Sequence, residues 1–107
     1  MPPGDRALFG APERVVRFQS AYSAPSRAAI LRLLLKGPMS YDAIFDAVGD
    51  ALVRSSVHVA LRELAALGYV SDDAPPGALR KPQATTFTAD RQLIAEDWAA
   101  THVYLFA

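Results

Sequence analysis

In the stretch "RSSVHVALRELAALGYV", Arg54 to Val70, polar side chains open a segment that then becomes a leucine stripe. Ser55 and Ser56 put two short hydroxyls where a helix would begin, and hydroxyls beside free helix amides suit phosphate oxygens. His58 and Arg62 stand four apart, on one helical face, and are long enough to reach base edges; Arg is the usual bidentate reader of guanine. Val59 on the same front suits a thymine methyl, and Arg54 adds a positive charge at the start. The plainer alternative is that Ser55 or Ser56 caps the helix, while Arg62 and Glu63 are ordinary solvated charges. A second basic pair, Arg80 and Lys81, lies between Gly77 and Pro82, where a stiffened loop would present both charges to phosphates.

Other chemistries lack their parts. The chain has no Cys, hence no disulfide, no thiolate zinc site and no Cys nucleophile. Asp97 and His102 are five apart on one helix, a poor spacing for a metal, and His58 belongs to a different element. There is no phosphate-binding Gly-rich loop, no nucleophile with a paired base and no carboxylate cluster, so neither an enzyme nor a cofactor is expected, and no metal.

With 107 residues, 51% of them apolar, the chain is long enough for one domain with a modest core. Eleven Lys and Arg balance eleven Asp and Glu, so electrostatic arguments must be local. Residues 1–36 carry six bases and two acids, whereas residues 37–51 carry three acids, Asp42, Asp46 and Asp50, and no base. The N-terminal residues lack a signal-peptide core and no apolar run is long enough to span a membrane, so a soluble, cytoplasmic protein is expected.

The elements that must position these residues follow from spacing. Residues 1–11, rich in Pro and Gly, read as a flexible arm in which only Leu8 and Phe9 are suited to docking. The folded domain is expected over 12–107. Val15, Phe18 and Tyr22 predict a short amphipathic helix after Pro12, ending near Ser23. Pro25 restarts the chain, and Ile30, Leu31, Leu34 and Leu35 form a broad apolar face that Gly37 and Pro38 terminate. A short helix begins near Ser40 or Tyr41, with Ile44, Phe45 and Val48 inward and Asp42 and Asp46 toward water. The next helix, about 54–67, buries Val57, Leu61 and Leu64, with Ala60 and Leu67 widening the stripe, and stops at Gly68. "YVSDD" and "ATTFTAD" alternate as two antiparallel strands joined by a long Pro-rich loop, about 74–82. A last helix is capped by Asp90, with Ile94, Trp98, Thr101 and Leu105 on one face.

Three helices followed by a β-hairpin predict a mainly α winged helix-turn-helix with flanking terminal helices, whose third core helix can enter a major groove while the hairpin loop reaches the backbone. "SAPSRAAILRLLLKGPMSYDAI" and "SSVHVALRELAALGYV", followed by the hairpin, resemble the ArsR-type winged helix-turn-helix repressors over about residues 12–105. Ala24-Pro25-Ser26-Arg27 matches that family's opening of the core helix except for a missing Asp. Val59 and Ala60 depart from it, where a basic residue and His are frequent, and the turn before the recognition helix is about two residues longer. The stretch from Ser55 to Val70 is similar to GntR and PadR winged helices as well.

The resemblance implies a dimeric, sequence-specific DNA-binding repressor acting on a palindromic operator. DNA contacts are expected from Arg54, Ser55, Ser56, His58, Val59, Arg62, Arg80 and Lys81. Homodimerisation through the terminal helices would cover Val15, Phe18, Tyr22, Ile94, Trp98, Leu105 and Phe106; the alternative is that these helices complete the monomer's own core. No residue pattern specifies a small-molecule effector. The rival class is a winged helix used for protein contact, favoured if Asp42, Asp46 and Asp50 line the recognition face. If they point away, a positive surface from Arg27, Arg54, Arg62, Arg80 and Lys81 remains.

Overall fold

The structure, a computed structural model, describes residues 11–49, 52–73 and 85–107. The order is α1 (Glu13–Tyr22), α2 (Pro25–Leu34), β1 (Met39–Ser40), α3 (Tyr41–Val48), α4 (Arg54–Ala66), β2 (Val70–Asp72), β3 (Thr86–Ala89) and α5 (Arg91–Phe106). This is the winged helix-turn-helix architecture expected from the sequence, with α2, α3 and α4 as the trihelical core.

Local chemistry sets most boundaries. Pro12 is extended rather than helical and its carbonyl accepts from the Val15 and Val16 amides, so α1 begins one residue later, at Glu13. Pro25 takes the first turn of α2, where its missing N–H leaves nothing unsatisfied. Ser40 caps α3 by accepting the Ala43 amide at 3.2 Å, and Asp90 caps α5 by accepting the Leu93 amide at 3.0 Å. After α4 the chain reverses at Gly68, whose φ of 85° is open to glycine without strain.

The sheet has three antiparallel strands in the order β1-β3-β2, one more than the hairpin the sequence predicts. Ser40 must be extended to cap α3, and that extended segment pairs with β3 through Met39 opposite Phe87 and Ser40 opposite Thr86. Two residues are too few for an alternation to reveal. On the other side, β2 pairs Val70 with Ala89, Ser71 with Thr88 and Asp72 with Phe87.

The core lies where α2, α3, α4 and the sheet meet. Ile30, Leu31, Ile44, Val57 and Leu64 are fully enclosed, and each such side chain contributes about 1.5–3 kcal/mol by leaving water. These are the inward positions the periodicity assigned to the three core helices.

The last helix departs from its expected face. Ile94 and Thr101 are buried, but Trp98 is 49% and Leu105 55% exposed; the third buried position is Asp97. A fully enclosed carboxylate needs compensating partners, and α1 supplies them. Arg17 Nε and Nη2 donate to Asp97 at 2.6 and 2.8 Å, and Arg14 Nη1 donates at 3.0 Å. The Tyr69 hydroxyl donates from the turn after α4 at 2.6 Å. Burial acts to raise the Asp97 carboxyl, but the Arg17 and Tyr69 hydrogen bonds and the Arg17 charge outweigh it and hold it below the usual carboxylate range.

Candidate nucleic-acid interface

The outward side of α4 is composed of small residues around one long one. Ser55, Val59, Arg62 and Ala66 recur at helical spacing and are all exposed, with His58 and Glu63 on the flanks. Arg62 has no ion pair among the described residues, whereas Glu63 meets Arg27 at 3.1 Å. Small neighbours leave the Arg62 guanidinium projecting beyond the helix surface around it.

Neither serine caps the helix. Val53 occupies that place with no side-chain hydrogen bond, and its carbonyl accepts from the Ser56 and Val57 amides. Ser55 is thereby exposed and Ser56 half-buried in the first turn. The first turn of α4 is held from α3 instead. The Tyr41 hydroxyl donates to the Arg54 carbonyl at 3.1 Å, and the buried Tyr41 ring lies 4.8 Å from the His58 ring.

Arg54 does not stand free. Its guanidinium carbon sits 4.2 Å from the centre of the Phe45 ring and 5.8 Å from that of Tyr41, and Nη1 is 3.6 Å from Asp42 Oδ1. Asp42 therefore turns one carboxylate oxygen toward the start of α4 while its side chain stays half-exposed, whereas Asp46 is exposed. Asp50 lies outside the described residues. Arg27 is also engaged: it donates to the Ser20 carbonyl at 2.9 Å and to Ser23 Oγ at 3.1 Å while pairing with Glu63. It joins α1, α2 and α4 and leaves the positive surface the sequence suggested.

A groove of about 430 Å³ runs between α4 and the sheet. His58, Arg62, Ala65, Asp72 and Phe87 line it, so Arg62 and His58 share a wall with one acid. Arg80 and Lys81, with the rest of the wing loop 74–82, lie outside the described residues. So do residues 1–10 of the expected arm; Ala11, its last residue, is buried.

The terminal helices α1 and α5 pack along each other. Of the residues assigned to a partner chain, Val15 and Ile94 are enclosed by this chain itself, as the monomer-core alternative holds for those two. Phe18 and Tyr22 are half-buried. Trp98, Leu105 and Phe106 are open to solvent, with Val103 and Tyr104 beside them. Rings form a continuous row across this end: Tyr22 to Phe18 at 4.6 Å, Phe18 to Trp98 at 5.5 Å, Trp98 to His102 at 5.9 Å and His102 to Phe106 at 4.9 Å. Among the described residues no group of three or more His, Asp or Glu is placed to hold a metal ion, and no helix is long and apolar enough to cross a membrane.

Sequence reasoning missed the roles of Tyr41, Asp42, Phe45, Tyr69 and Asp97. Arg14 and Arg17, three apart on α1, both reach Asp97, but nothing in their spacing alone pointed to that acid.

A trihelical core whose last helix precedes an antiparallel sheet defines a winged helix-turn-helix protein. No protein-family profile matches the sequence and no curated protein matches it significantly. Among solved structures, the chain is similar to the crystal structure of an ArsR family transcriptional regulator, with a TM-score of 0.63 and 20% identity over 89% of this chain and 92% of that one. A likeness at that identity establishes the fold.

Proposed function

We propose that this chain is a DNA-binding transcriptional regulator, a cytoplasmic homodimeric repressor that inserts α4 into the major groove. The observation that carries the reading is the outward face of α4, where Arg62, without an ion pair among the described residues, projects from among Ser55, Val59 and Ala66. Its fold is shared with a protein described as an ArsR family transcriptional regulator. Arg62 reads a base edge, His58 and Val59 contribute beside it, and Ser55 and Ser56 anchor a phosphate through hydroxyls and helix amides. Arg80 and Lys81 in the wing loop engage the flanking backbone. Trp98, Leu105 and Phe106 carry the subunit contact, so two copies of α4 meet half-sites about 34–36 Å apart on a palindromic operator.

A second reading, a winged helix that contacts protein and binds DNA poorly, is favoured by Asp42 beside the start of α4 and Asp72 in its groove. Selection from randomised duplexes separates the two. The DNA-binding reading expects one recovered palindrome bound far more tightly than its scrambled version; equal binding of both sequences removes base readout.

A further inference from the structure

Arg54 is the first residue of the recognition helix, yet α3 holds it on two sides. Phe45 stacks beneath the guanidinium at 4.2 Å, and Asp42 lies against its edge. The Asp42–Arg54 approach of 3.6 Å is longer than a hydrogen bond, and Asp42 Oδ1 is buried without a hydrogen-bond partner among the described residues. Charge, rather than a directional bond, therefore keeps the pair together.

We infer that Asp42 is a specificity-determining residue, which neutralises Arg54 and suppresses sequence-independent phosphate binding at the start of α4; this rests on the DNA-binding reading above. A phosphate approaching α4 meets an Arg54–Asp42 pair of no net charge. Asp42 also opposes, with its own charge, the attraction of the helix amides for an anion. Both effects weaken binding to every sequence alike, and neither touches the base contact of Arg62. Discrimination is a difference of affinities, so a uniform loss of backbone attraction leaves base readout a larger share of the total. The valine cap fits the same arrangement: Val53 offers the helix start no side-chain acceptor, and Tyr41, Asp42 and Phe45 of α3 set its first turn instead.

The experiment measures binding to a mixed-sequence duplex and to the selected operator, from about 50 to 200 mM salt, for wild type, Asp42→Asn, Arg54→Gln and the double variant. Asp42→Asn is expected to bind the mixed duplex severalfold more tightly at low salt. Its plot of log affinity against log salt steepens by about 0.9, the increment for one further neutralised phosphate. The operator-to-mixed ratio falls, and in the Arg54→Gln background these changes shrink to the smaller part that Asp42 exerts on the helix amides alone. An Asp42→Asn protein with unchanged slope, or a gain that persists undiminished without Arg54, overturns the inference while leaving the DNA-binding reading intact. Wild type that binds no duplex at low salt overturns both.

Discussion

The Tyr69 hydroxyl donates a 2.6 Å hydrogen bond to Asp97 Oδ2, tying the turn after α4 to the middle of the last helix. Because Asp97 also receives Arg14 and Arg17, one enclosed carboxylate joins α1, α5 and the root of the wing. Removing it leaves Arg17 and Tyr69 without their acceptor. Asp97→Ala should cost about 3–5 kcal/mol, the range for breaking a buried pair from one side, and Tyr69→Phe about 1.5–3 kcal/mol. Urea unfolding monitored by circular dichroism measures both; a loss under 1 kcal/mol for Asp97→Ala would show that solvent replaces the cluster.

The same cluster sets a pH dependence at both ends. Asp97 has its folded pKa depressed below the ordinary 3.8, so its contribution is present above that value and is lost as pH falls through the folded pKa. Tyr69 is raised from its usual 10.0 by burial and by the Asp97 hydrogen bond, so its contribution is present below pH 10.0 and is lost as pH rises through the raised pKa. Urea midpoints across pH should fall at each extreme for wild type. Asp97→Asn should flatten the acid limb, and Tyr69→Phe the alkaline one.

The two sets of proposed DNA contacts predict different signatures. Arg62→Ala should lower operator affinity by about 1–3 kcal/mol and relax preference at one base pair. Replacing Arg80 and Lys81 together should weaken binding to all sequences and reduce the salt slope by about 1.8 for two phosphates. Competition titrations with single-base operator variants distinguish these outcomes.

The exposed row on α5 predicts the subunit contact. Leu105→Glu with Phe106→Glu should convert a sedimenting dimer to monomer while sparing the melting transition of the monomer core, since both side chains lie outside it. Trp98, the single tryptophan, should shift its emission to shorter wavelength as wild-type concentration rises, and this shift should be absent in the double variant.

The trihelical core was legible because its helices bury strictly periodic apolar positions: Ile30, Leu31 and Leu34, then Ile44, then Val57, Leu61 and Leu64. The cap Asp90 was legible because a short acceptor before an apolar run has few other uses, and the start of α3 was legible to within Ser40 or Tyr41. Asp97 was not, because an acid is assigned to water unless its partners are known, and its two cationic partners, Arg14 and Arg17, lie about eighty residues away in sequence. That assignment moved the expected stripe of α5 onto Trp98 and Leu105. Asp42 was read only in part: the periodicity of α3 sends it outward and its side chain is half-exposed, but that side of α3 also borders Arg54. The candidate reading edge could be named from residue types; which of its cations are already engaged could be learned only from the packing of α3 against α4.

The central claim, base readout by α4, is tested most directly by the affinity ratio between the selected palindrome and its scrambled version at physiological salt. The account predicts a ratio of about 10³ or more for wild type, falling markedly for Arg62→Ala. A ratio near one for wild type, or a high ratio that Arg62→Ala leaves untouched, would contradict it.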